Sequence, residues 1–91
     1  MTEIRTEKKI DAAGAPKLDA RLKELLAAGE TEFVVDMQDT TYISSVGLRA
    51  FASAQKKINK TSGSMVLVHV QPCIKEIFEV TGFGGVLNIE D

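Results

Sequence analysis

Two short apolar runs, one near the middle of the chain and one in its last third, constrain its fold most strongly. Residues 33–35 and 65–70 are rich in β-branched side chains, which predicts strands buried on both faces. Apolar residues between the runs recur at helical spacing: Leu48, Phe51, Ala54 and Ile58. A helix between two buried strands indicates a βαβ unit, and therefore an α/β fold.

The remaining segments extend this alternation of strands and helices. Residues 4–10 are mostly polar and predict an edge strand. Helical periodicity follows them and ends at Gly29, which suits the position just after a helix. Another helix is predicted to start at Pro72 and to stop at Gly82, and residues 86–89 predict a short last strand.

These segments predict one α/β domain over residues 1–91, because 91 residues are too few for two compact domains. Its expected architecture is a mixed β-sheet of about four strands, with about three helices packed mainly on one face. The net charge of −2 argues against nucleic-acid binding, since each neutralised phosphate needs a basic side chain. No metal ligand set and no cofactor motif stands out.

The chain is expected to work in the cytoplasm. Cys73 is its only cysteine, so it forms no intramolecular disulfide, which fits a reducing compartment. Its apolar runs are far shorter than the roughly 20 residues that cross a bilayer. Membrane insertion is therefore not expected.

The most informative segment runs from Asp36 to Arg49, where a strand ends, a polar loop follows and a helix begins at Ser44-Ser45. A serine there has two explanations. In the first, its hydroxyl caps the helix by accepting a hydrogen bond from a backbone N–H. Alternatively, it accepts a phosphoryl group, which the positive end of the helix dipole favours.

The sequences DMQD (36–39) and YISSVGLR (42–49) resemble the hallmark segment of STAS domains, found in bacterial anti-sigma-factor antagonists. Similarity continues in the same order at residues 10–11, 63–70 and 78–83. By this resemblance Ser45 occupies the phosphoacceptor position. Ser44 replaces the usual Asp, and Val46 replaces a second Ser or Thr. The implied partner-binding surface is formed by Asp11, Gly14, Thr40, Thr41, Ser44, Ser45 and Arg49.

The resemblance implies an anti-sigma-factor antagonist rather than an enzyme. Its unphosphorylated form binds a partner of the histidine-kinase-like ATPase type, which is both anti-sigma factor and serine kinase. Phosphorylation at Ser45 releases the antagonist, and a PP2C-type phosphatase resets it. The protein itself is expected to be a monomer or a weak dimer.

Other functions stay open. The alternatives are the small STAS subunit of a lipid-trafficking ABC transporter, never phosphorylated, and a scaffold element of a stress-signalling assembly. An enzyme is the weakest hypothesis. Asp36 and Asp39 are predicted to serve a turn, and His69 and Cys73 are predicted to be a buried strand histidine and a small apolar cysteine.

Overall fold

The computed structural model describes residues 2–90, which form nine regular elements and one 3₁₀ turn at Phe83–Gly85. The strands are β1 Thr2–Arg5, β2 Lys9–Ile10, β3 Glu32–Asp36, β4 Tyr42–Ile43, β5 Ser64–Val68 and β6 Asn88–Ile89. The helices are α1 Gly14–Ala27, α2 Ser45–Lys60 and α3 Pro72–Thr81. The α/β class and the three helices are confirmed.

Four of the strands form one sheet in the order β1-β3-β5-β6. Its size agrees with the prediction, but the strand directions need correction: all three neighbouring pairs among the described residues are parallel, so this sheet is not mixed. Each connection contains a helix that carries the chain back to the end of the sheet where the previous strand began. Such crossovers produce parallel neighbours.

The predicted strand over residues 4–10 is in fact two strands. β1 is an edge strand, as expected, and ends at Arg5. After a short loop, Lys9–Ile10 pairs in parallel with Tyr42–Ile43, forming a separate two-stranded ladder. This β2–β4 ladder was not predicted. It lies immediately before the starts of α1 and α2.

The core lies on one face of the sheet only. Along β3 and β5, buried side chains alternate with half-buried ones, so Phe33 and Leu67 are in the core whereas Val34 and Val66 are partly exposed. The prediction that these strands are buried on both faces is therefore wrong. All three helices contribute buried apolar residues to the same cluster, among them Leu22 of α1, Phe51 of α2 and Phe78 of α3. The expected helix layer on one face accounts for this pattern.

Three sequence signals mark helix ends where they were predicted. Pro72 is the first residue of α3, where the missing N–H costs no helical hydrogen bond. Gly82 follows α3 with φ of +82°, and Gly29 follows α1 with φ of +84°. Residues other than glycine seldom adopt this left-handed conformation.

Candidate functional site

The two adjacent serines at the start of α2 have different roles. Ser44 is the N-cap residue, and its hydroxyl accepts a hydrogen bond from the Gly47 N–H at 3.3 Å. Ser45 is the first residue of the helix and is exposed; among residues 2–90 its hydroxyl has no hydrogen-bond partner. The cap therefore uses Ser44, and the Ser45 hydroxyl is available for chemistry.

The β2–β4 ladder holds this helix start in place. The Ser44 N–H donates to the carbonyl of Ile10 at 2.8 Å, and the Thr41 N–H donates to the carbonyl of Lys8 at 2.8 Å. Gly47 allows the close approach, because a Cβ there would lie 2.7 Å from Ile10 Cγ2. The backbone leading to Ser45 is thus fastened to the segment that leads into α1.

Asp11 and Gly14 form the turn at the start of α1. The Asp11 carboxylate accepts hydrogen bonds from the N–H groups of Gly14 at 2.8 Å and Ala13 at 3.1 Å. These two bonds, the Gly14 bond first, lower the pKa of Asp11 below its ordinary value of 3.8. Gly14 lies close to backbone as well, since a Cβ there would be 2.7 Å from the carbonyl oxygen of Lys9. Both residues therefore shape the loop beside the ladder.

Thr40 requires a correction. It was predicted to belong to the partner-binding surface, but its exposed fraction is 0%. Its hydroxyl is hydrogen-bonded with the Thr6 hydroxyl and lies 2.7 Å from the carbonyl oxygen of Glu7, to which it donates. A polar residue enclosed in this way joins two loops, and it cannot contact a partner directly in this conformation.

The other predicted residues lie at the surface. Thr41 is exposed, and the exposed Arg49 side chain donates from Nε to the Ser45 carbonyl at 3.4 Å. Two exposed apolar side chains that were not predicted, Tyr42 and Val46, flank the serines in sequence with exposed fractions of 48% and 46%. A hint was present in the sequence, because Val46 occupies a position where the STAS pattern has Ser or Thr.

The charge at this helix start is also informative. The first turn of α2 contains no acidic side chain, and Arg49 is the cation in contact with it. The helix dipole adds positive potential at the same end. An added phosphate on Ser45 would therefore enter a neutral to positive environment.

Asp36 ends β3 and is the one ionisable side chain that is buried among residues 2–90. Asp36 is buried and accepts bonds from the Gln38 N–H at 2.9 Å and from the His69 ring Nδ1 at 3.1 Å. The Gln38 bond is the main reason why the pKa of Asp36 falls below 3.8, with His69 contributing, although burial opposes the shift. Asp36 therefore serves a turn, as predicted.

His69 and Cys73 do not match their predicted environments. His69 lies just after β5 with φ of +55° and is exposed, and Cys73 is exposed in the first turn of α3. The strand ends at Val68, where the chain turns toward α3, so neither side chain reaches the core. Within residues 2–90, no group of three or more His, Cys, Asp or Glu side chains is arranged to hold a metal ion.

The family of this chain follows from comparison with known protein families. The profile of the STAS domain family matches residues 1–91. The chain belongs to the STAS domain family. In this STAS domain, the described residues include no helix that is long and apolar enough to cross a membrane.

Two relatives of this chain are named as anti-sigma factor antagonists. BtrV of Bordetella bronchiseptica, which is named as one, is 35% identical over 74 residues, and the match covers 81% of this chain. The match to this chain spans only 64% of that relative's length. The anti-sigma-B factor antagonist of Staphylococcus aureus is 22% identical over 89 residues, covering 98% of this chain and 82% of the relative.

Solved structures of such antagonists share the fold. An anti-sigma factor antagonist from Thermotoga maritima has a TM-score of 0.85 at 18% identity, with 98% of this chain and 79% of that one covered. Unphosphorylated SpoIIAA has a TM-score of 0.76 at 17% identity, covering 98% of this chain and 77% of that one. Bacillus SpoIIAA has also been solved in its phosphorylated form, with a TM-score of 0.74.

Proposed function

We propose that this STAS domain is an anti-sigma factor antagonist whose binding to its partner is controlled by phosphorylation of Ser45. The observation that carries the proposal is that two neighbouring serines have different structural roles. Ser44 supplies the helix cap, and the exposed Ser45 hydroxyl has no structural hydrogen bond within residues 2–90. The names of the relatives support the same function.

The local structure tolerates the added phosphate. Phosphorylation adds about −1.5 to −2 charges at neutral pH. At the first residue of a helix this charge interacts favourably with free N–H groups and with the dipole. Arg49 lies one helical turn away and already contacts the Ser45 carbonyl. We therefore expect phosphorylation to leave the fold intact.

The same phosphate is incompatible with a dry interface at this position. Tyr42 and Val46 offer apolar contact area next to Ser45, and such residues serve as the desolvated centre of an interface. Even with Arg49 one turn away, burying a dianion among them costs several kcal/mol unless the partner supplies a further matching cation. Phosphorylation would therefore release the partner by charge and desolvation, without a change of shape.

The proposed partner is an anti-sigma factor that is also a serine kinase of the histidine-kinase-like ATPase type, and a PP2C-type phosphatase would restore the free serine. Both proposals rest on the family resemblance, as does the cytoplasm as the place of action. The contact surface omits the buried Thr40 and gains the two apolar residues. It comprises Asp11, Gly14, Thr41, Tyr42, Ser44, Ser45, Val46 and Arg49.

The first test is phosphorylation itself. The protein is incubated with its anti-sigma kinase and Mg-ATP, and intact and tryptic masses are measured for the wild type, Ser45→Ala and Ser44→Ala. One added phosphate is expected in the wild type and in Ser44→Ala, and none in Ser45→Ala. An active kinase that leaves the wild type unmodified would contradict the switch. A constitutive binding module, such as an ABC-transporter subunit, would then be favoured.

The second test concerns release. Ser45→Asp places a negative charge at the acceptor position, whereas Ser44→Asp places the same charge one residue earlier on a side chain that remains a good N-cap. The affinity of the Ser45→Asp variant for the anti-sigma kinase is expected to fall at least tenfold relative to the wild type. The fall for Ser44→Asp should be smaller. Full affinity of Ser45→Asp for the kinase would refute release by charge at Ser45.

A further inference from the structure

The free edge of β1 carries backbone groups that have no partner in the sheet. Among residues 2–90, β1 is paired only with β3, in parallel register, with Ile4 opposite Val35. The Thr6 N–H donates to the Asp36 carbonyl, so even-numbered residues direct their hydrogen bonds toward β3. Since the direction alternates along a strand, the N–H and C=O groups of Glu3 and Arg5 point away from the sheet.

A groove runs beside this edge. Its volume is about 390 Å³, and it lies between β1 and helix α1. Its apolar lining includes Ile4, Ile10 and Leu18. An open strand edge beside a groove that is partly apolar and partly charged can accept an additional strand.

We propose that the occupant is β1 of a second copy of this chain, paired antiparallel so that one continuous sheet crosses a two-fold axis. The charge pattern of the strand selects the register. With Ile4 opposite Ile4 of the second copy, Glu3 lies opposite Arg5 in both halves. Arg5 also lies 3.5 Å from Asp36 and 4.0 Å from Asp39 of its own chain, so the pair across the two-fold axis would join an existing charge cluster. Two other registers, shifted by two residues in either direction, use the same outward-facing backbone groups. One places Glu3 opposite Glu3, and the other places Arg5 opposite Arg5. Like charges facing each other across strands are destabilising.

The backbone favours the same register. In an antiparallel pair, residues that exchange two hydrogen bonds alternate with residues that exchange none. The outward-facing Glu3 and Arg5 become bonded pairs, giving four hydrogen bonds between the copies. Ile4 then forms the non-bonded central pair, in which side chains approach closely, and it lies on the core face of the sheet. Charge, hydrogen bonding and apolar contact thus agree on one alignment.

Positive charge on α1 limits the strength of this association. Lys17 and Arg21 line the helix side of the groove, and only the Arg21 charge is offset nearby, by Glu24 at 2.9 Å. The two-fold axis places both α1 helices on the same face of the combined sheet. The basic side chains of the two helices therefore repel each other. We therefore infer a weak, concentration-dependent dimer, independent of phosphorylation at Ser45.

The test is sedimentation equilibrium of the untagged protein from about 10 μM to about 1 mM, a range suited to a small interface. The weight-average mass should rise from 9.9 kDa toward twice that value. Intermolecular contacts between Ile4 methyl groups are expected by NMR in a sample that mixes labelled and unlabelled protein. A monomer throughout this range would overturn the proposal.

Variants at Glu3 test the register. Glu3→Arg should weaken association about tenfold or more, because both symmetric pairs become repulsive. Glu3→Pro removes the outward backbone N–H of residue 3, leaves the hydrogen bonds to β3 in place and should abolish the dimer. Glu3→Gln keeps this N–H but loses the side-chain charge, so the dimer should persist with lower affinity. Circular dichroism verifies that each variant is folded. A dimer unaffected by Glu3→Arg and Glu3→Pro would refute pairing through β1.

Discussion

The roles of Ser44 and Ser45 can be separated by stability alone, without any partner protein. Ser44→Ala removes the hydroxyl that accepts the Gly47 N–H at 3.3 Å, so one helix donor loses its acceptor. Loss of a serine N-cap costs about 1 kcal/mol of folding free energy. Ser45→Ala removes an exposed hydroxyl without a hydrogen-bond partner among residues 2–90. Its effect should stay within about 0.5 kcal/mol.

These free energies correspond to measurable shifts. At an m-value of about 1–2 kcal/mol per molar urea, a loss of 1 kcal/mol moves the unfolding midpoint by about 0.5–1 M. For a domain of 91 residues the same loss lowers the melting temperature by about 4–8 °C. The chain has no tryptophan and one tyrosine, so far-ultraviolet circular dichroism is the suitable probe.

Ser44→Asp is the matched control, because aspartate caps helices as well as serine does. Its midpoint should stay near the wild-type value. If Ser45→Ala lowers the midpoint as much as Ser44→Ala does, the assignment of the cap to Ser44 is wrong. The Ser45 hydroxyl would then have a structural role and would not be free for phosphorylation.

Three further predictions concern residues outside the serine pair. Thr40→Val removes the two hydrogen bonds of a fully buried hydroxyl, to the Thr6 hydroxyl and to the Glu7 carbonyl, and should cost about 1–3 kcal/mol in urea unfolding. The exposed Thr41→Val should be nearly neutral, and equal effects would contradict the burial difference. Gly63→Ala brings a Cβ against the Thr31 carbonyl oxygen and should destabilise by about 2 kcal/mol or more, while a Cβ at Gly85 meets nothing within 4 Å, so Gly85→Ala should be tolerated. The lowered pKa of Asp36 means that its ionised form stabilises the fold above pH 3.8 and that this contribution disappears as the pH falls through the folded-state pKa. Asp36→Asn should therefore be less stable at neutral pH and show a flatter loss of stability in acid; an unchanged acid slope would contradict this linkage.

Most of the secondary structure was predictable because its signals are local. The α2 periodicity from Leu48 to Ile58 and the stops at Gly29 and Gly82 depend only on neighbouring residues. The position of the serine pair at a helix start followed from the same signals. The sequence alone did not show which serine caps the helix, since both residue types and positions suit that role.

The wrong predictions concern features that depend on distant contacts. The two-residue strand at Tyr42–Ile43 exists because Lys9–Ile10 lies beside it, and neither segment has a recognisable strand pattern. Thr40 is polar and sits in a loop, so only its enclosure by Thr6 and Glu7 reveals that it is buried. His69 continues an apolar run in sequence, but its positive φ turns the chain out of the sheet.

The hydrogen bond from the Ser44 N–H to the Ile10 carbonyl has a consequence for the thermodynamics of recognition. It ties the loop before α2 to the loop before α1, so both stretches of the proposed contact surface are ordered before any partner arrives. Association then avoids most of the entropy loss that accompanies the ordering of flexible loops. Rearranging these loops to accommodate an added group would break this hydrogen bond. In the proposed switch, one phosphate on Ser45 would therefore meet a contact surface that is already ordered.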